Sequence, residues 1–154
     1  MSGGWRKDCR SMAHEVNVPT DVSVLELAAQ CEFAVCQLER CGRYEHPEYV
    51  PEKVWRRDFF LSVSAQGTPL IRANAEFLDR GLQRPSVREF LAFVAHHRDV
   101  LARNNIRVVL PMAFYRDGVP KHYLVAPAGK ERLTLRAVLE AEVTADNYDL
   151  LGVV

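Results

Sequence analysis

The order of elements predicts an α+β fold: an antiparallel sheet from two β-hairpins, packed with two long helices and a short C-terminal helix. Three observations carry this. Two Ser-x-x-Glu boxes, Ser23/Glu26 and Ser86/Glu89, open segments with helical apolar spacing. Two turn signals, Gln66-Gly67-Thr68-Pro69 and Arg116-Asp117-Gly118-Val119-Pro120, divide segments that read as strands. The resulting order is helix, hairpin, helix, hairpin, helix.

Residues 1–19 are mixed in character and read as an irregular N-terminal arm, leaving 20–154 as a single α+β domain. The first helix is predicted over 24–41. At about 100° per residue, Val24, Leu27, Ala28, Cys31, Ala34, Val35, Leu38 and Cys41 form one stripe. Leu25, Ala29, Phe33 and Cys36 form a second stripe on the far side, and Gly42 offers a left-handed stop. A helix apolar on two faces is either central or shared with a partner.

Residues 43–57 hold two prolines and many charges, which predicts a long loop. Asp58–Ser64 alternates Phe59, Leu61 and Val63 with Phe60, Ser62 and Ser64, a strand pattern. Leu70–Asn74 reads as the returning strand of that hairpin, and 75–82 as a helical turn or irregular structure. The second long helix starts at the Ser86 box, with Val87, Phe90, Leu91, Val94 and Leu101 inward, and stops at Asn104-Asn105. Ile106 to Phe114 alternates and returns through Lys121 to Ala126 across Asp117-Gly118. Thr134 is read as the cap of a short last helix with Leu135, Val138, Leu139 and Val143 inward. The apolar tail 148–154 adds a strand or docks in a groove. The Ser-Val-x-Glu starts lie 63 residues apart (86 − 23), which fits either a duplicated helix-plus-hairpin unit or capping chemistry alone.

At 154 residues the chain is one domain in size and needs no disulfide to bury a core. Twenty basic side chains balance twenty acidic ones, which argues against a polyanion binder as a description of the whole molecule. No run reaches the roughly 18 apolar residues of a membrane span, and the start lacks a signal-peptide core, so a cytoplasmic address and no membrane partner are expected. The four cysteines then read as free thiols.

Sites are few. Cys31, Cys36 and Cys41 are five apart, and five helical residues turn about 140°, so neighbours diverge and cannot share an ion. His96 and His97 diverge as well. No Gly-rich phosphate loop or nucleophile elbow is present. No metal, cofactor or catalytic residue is assigned. His97 projects near the apolar stripe between Phe90, Phe93 and Leu101, and Arg98 lies near its centre, making a candidate pocket. Interface chemistry is better represented. Leu25 and Phe33 lie on the second helical face, and Tyr44, Tyr49, Trp55 and Arg56 on the loop, residue types that dominate binding hot spots.

The sequence therefore predicts a non-enzymatic protein-binding module, a regulatory, adaptor or chaperone-like subunit that self-associates as a homodimer. Two alternatives stand beside it. One is a small Cys/His-dependent hydrolase or transferase. The other is a nucleic-acid binder using segment 80–107, where Arg80, Arg84, Arg88, Arg98, Arg103 and Arg107 face only Glu89 and Asp99, an excess of four (6 − 2).

Overall fold

Strand residues alternate between faces, so a central strand here feeds two apolar layers. Val108 belongs to one buried cluster and Val109 to another, and the same division separates Val125 from Leu124 and Leu151 from Leu150. The sheet between these layers was obtained as a computed structural model, which describes residues 13–38, 54–64, 67–110, 113–129 and 132–154.

Its strands are β1 (His14–Pro19), β2 (Val35–Cys36), β3 (Val54–Ser64), β4 (Val108–Val109), β5 (Phe114–Arg116), β6 (Val119–Pro127), β7 (Leu133–Val138) and β8 (Tyr148–Val153). The helices are α1 (Val24–Gln30), α2 (Leu70–Asp79), α3 (Val87–Arg103) and α4 (Glu140–Thr144). The sheet runs β1-β3-β8-β4-β6-β7-β2, with β5 also paired to β6.

This corrects the expected purely antiparallel sheet of two hairpins. The sheet has eight strands and is mixed, because β8 lies parallel to β4 and β2 lies parallel to β7. The reason lies in the C-terminal tail. Tyr148–Val153 is buried at every position, so it enters the middle of the sheet between β3 and β4. A strand buried on both faces reads as a continuous apolar run, not as alternation.

Other elements change type for local reasons. Residues 14–19 form an edge strand, not an irregular arm: Val16 and Val18 point inward while Glu15 and Asn17 point out. The first helix ends at Gln30, well short of 41. Glu32 takes a left-handed φ of 53°, and the chain then bonds to β7 through Ala34 N–H to the Leu133 carbonyl and Gln37 N–H to the Leu135 carbonyl. Residues 70–79 form a helix where a strand and irregular structure were expected. The Pro69 carbonyl accepts its first bonds, and the Glu140 carboxylate accepts from the Leu70 N–H at 3.3 Å, a cap supplied 70 residues away. Residues 133–138 form a strand, not a helix; Leu133 and Leu135 face one layer and Val138 the other. Only Glu140–Thr144 is helical there. Residues 54–57, expected in the long loop, continue β3.

The second long helix forms as its sequence predicts. Ser86 Oγ accepts from Glu89 N–H at 3.1 Å, and Glu89 Oε1 accepts from Ser86 N–H at 2.8 Å. The Asp117-Gly118 turn also forms, with φ of 53° and 79°, the left-handed pair a tight hairpin requires.

α1 and α3 cover one face of the sheet, and α2 and α4 the other. The α1/α3 layer holds the larger core, with Phe59, Phe90, Phe93 and Tyr123 fully buried. Polar groups fasten this layer as well. Arg88, 4% exposed, donates from Nη1 to the carbonyls of Pro19 at 3.0 Å and Val22 at 2.6 Å. That ties the start of α3 to the turn after β1.

Candidate functional site

On the α2/α4 face the covering layer leaves apolar surface outside. α2 turns Leu70 and Ala73 into the smaller core and leaves Ile71, Ala75 and Leu78 on its outward side. The spacing i, i+4, i+7 makes these three one stripe. Ile71 is 78% exposed and Leu78 57%. Beside the stripe runs a groove of about 510 Å³, walled by α2 on one side and by Ala113, Pro120 and His122 on the other. Tyr115 pairs directly with Pro120, so it shares the groove's side of the sheet, and it is 64% exposed. Arg84 and Glu140 also line the groove, one charge of each sign.

Beneath this surface lie two polar side chains. His122 is buried, and burial lowers its pKa; a backbone hydrogen bond with Leu110 and the nearby Glu140 carboxylate pull the other way. Its Nδ1, and the Oδ1 of Asn74, find no hydrogen-bond partner among the described residues. A ring with lowered pKa is neutral at pH 7, so the groove carries no net charge from its floor.

The residues singled out by sequence scatter. Leu25 is half-exposed on α1, whereas Phe33 lies after that helix and packs partly against the larger core. Trp55 and Arg56 occupy β3, their backbones opposite Val18 and Asn17. Tyr44 and Tyr49 lie outside the described residues. The sequence's interface set is thus not gathered onto one helix face. Sequence reasoning missed the α2 stripe because it assigned 70–74 to a strand; the signal was present as Ile71, Ala75 and Leu78 at helical spacing.

His97 and Arg98 have different neighbours. The His97 ring stacks at a tilt on Phe93, 4.7 Å between centroids, and stands edge-on to His14 at 5.3 Å and to His96 at 4.7 Å. Burial, then the neighbouring His96 and His14, push its pKa down to about 4. The backbone of α3 leaves helical geometry there, at φ −113° and ψ 16°. Arg98 turns elsewhere, its Nη1 bonded to Glu32 Oε1 at 2.9 Å. It lines a different cavity, of about 430 Å³, with Cys31 and Arg132.

Burial pushes the Cys31 thiol up to about 12, and its Sγ donates toward the Leu27 and Leu91 carbonyls at 3.4 Å each, which suits a packing thiol and not a nucleophile. Cys36 is exposed on β2. No group of three His, Cys, Asp or Glu among the described residues is arranged to hold a metal ion. Four of the six arginines of 80–107 serve separate local bonds: Arg88 inside the fold, Arg98 to Glu32, Arg103 to the Asp99 carbonyl and Arg107 to the Asn147 carbonyl. No described helix is long and apolar enough to cross a membrane.

Comparison of the chain with protein-family models, with curated proteins and with solved structures finds no match.

Proposed function

We propose that this chain is a protein-binding module, and that its contact face is the outward side of α2 together with the adjoining groove. One observation carries the reading: Ile71 and Leu78, the two most exposed large aliphatic side chains on the described helices, lie seven residues apart on one helix and line a groove whose far wall is Ala113, Pro120 and His122. Scattered exposed apolar residues need no explanation, but a contiguous set beside a concave surface is characteristic of an interface. Its geometry suits a helix laid along a helix, read through anchors at i, i+3 or i+4 and i+7. Charges of both signs at the groove favour a partner segment that is amphipathic and close to neutral.

A displayed library of helical peptides, panned on the full chain and counter-selected on Ile71→Asp, tests this. The expected result is enrichment of peptides with apolar residues at those spacings. Equal recovery on wild type and on Ile71→Asp would sink the reading.

A further inference from the structure

The stripe on α2 matches its own reverse. Its ends are two large aliphatic residues, Ile71 and Leu78, and its middle is small, at Ala75. Laid antiparallel on an identical helix about a two-fold axis between residues 74 and 75, each residue meets the one whose number completes 149. Ile71 then falls beside Leu78 of the other helix at both ends, and the two Ala75 side chains face each other at the centre, where small residues allow close approach.

The charges fit the same arrangement. Arg72 and Asp79 are both exposed and lie on the same flank of α2, the flank away from the groove, since seven helical residues bring the chain back to nearly the same direction. A two-fold axis sets this flank against its own copy running the opposite way. Arg72 then stands about 3 Å along the axis from the partner's Asp79, while the two Arg72 side chains are about 7.5 Å apart along it and the two Asp79 about 13 Å. The arrangement thus makes two opposite-charge pairs and keeps the two Arg72 apart from each other, and likewise the two Asp79.

We propose that the partner docked on α2 is a second copy of this chain, held by an antiparallel α2–α2 contact with Ala75 at the axis. This rests on the docking reading above and specifies its occupant. A contact of one short helix and its groove lies at the small end of specific interfaces, so the expected dimer is weak, with Kd of about micromolar or higher.

Sedimentation of the full chain from about micromolar to about millimolar concentration reads the association directly. The expected result is a concentration-dependent dimer. Ile71→Asp should weaken it about 30- to 100-fold with an unchanged circular dichroism spectrum, as loss of a large apolar anchor does. Arg72→Asp alone should weaken it about two- to fivefold, and Arg72→Asp with Asp79→Arg should restore it. Under mild oxidation Ala75→Cys should give a dimer whose digest contains a 75–75 link. Ile71→Cys should not link to itself, because the two copies lie about 10 Å apart along the axis. If Ile71→Asp does not fold, Leu78→Asp and the charge pair carry the same test. A monomer throughout, a dimer indifferent to these substitutions, or no 75–75 link overturns the proposal. A monomer that still enriches helical peptides overturns self-docking alone; a monomer that enriches none removes the docking reading with it.

Discussion

The two faces of the sheet are finished differently. Under α1 and α3 the core is large, the helices are tied down by buried polar bonds, and α3 lies across the sheet with Val87 and residues 90–94 buried. Under α2 and α4 the core is smaller, and α2 leaves two large aliphatic side chains in solvent. Both faces use the same alternation of strand residues, so the difference lies in the covering helices. One helix is spent on stability. The other is only half satisfied by its own chain, and a half-satisfied helix is where another surface can add burial.

The sharpest break of this comparison is in the closed layer. Phe93 is fully buried and packs on Phe59 at 5.4 Å, so Phe93→Ala should cost about 3–5 kcal/mol in urea unfolding. Leu78→Ala, on the open side, should move stability by no more than about 0.5 kcal/mol. Equal costs would erase the distinction between the layers.

Next in size is the polar fastening. Arg88→Met keeps the aliphatic stem but removes the donor to the Pro19 and Val22 carbonyls. Removing the donor from these part-buried acceptors should cost about 2–3 kcal/mol, read as a lowered urea midpoint at constant slope.

Acid should act on the same layer. His97 has its pKa pushed down to about 4 in the folded chain, against 6.5 for the free side chain. Between those values the unfolded chain binds the proton and the folded chain does not, so stability falls as pH drops from about 6.5 to about 4 and is fully present above it. With a partly exposed ring, the loss from this group should be about 1–3 kcal/mol. His97→Phe should flatten that part of the pH profile. An unchanged slope in the variant would assign the acid sensitivity elsewhere.

The smallest effect expected is at the cap of α1. Ser23 Oγ accepts from Glu26 N–H at 3.0 Å, and Ser23→Ala should lower stability by about 1 kcal/mol in thermal unfolding.

What was legible in the sequence follows the range of the forces involved. Ser23 and Ser86 mark true helix starts because capping is a matter of three residues, and Asp117-Gly118 marks a true turn for the same reason. Two errors came from partners far away. Leu70–Asp79 is helical with its first N–H bonded to Glu140, and nothing within ten residues announces that cap. The segment 34–37 continues the helical stripe of α1, yet its N–H groups bond to β7, a hundred residues on. The apolar tail reads as able to add a strand, but its own residues do not mark it as the strand that occupies the middle of the sheet and makes it mixed. The candidate site suffered most from this. Once 70–74 is taken for a strand, Ile71, Ala75 and Leu78 no longer share a face, and the most exposed apolar stripe among the described helices disappears from view.

On the proposed reading, the outward face of α2 is the binding face and a second copy covers it. Amide hydrogen exchange of the full chain, compared between dilute and concentrated solution, tests it most directly. The account predicts slower exchange at high concentration in residues 70–79 and in the β5–β6 hairpin, with β1 and α1 unchanged. Exchange in 70–79 that does not depend on concentration, or protection that appears on β1 and α1 instead, would contradict it.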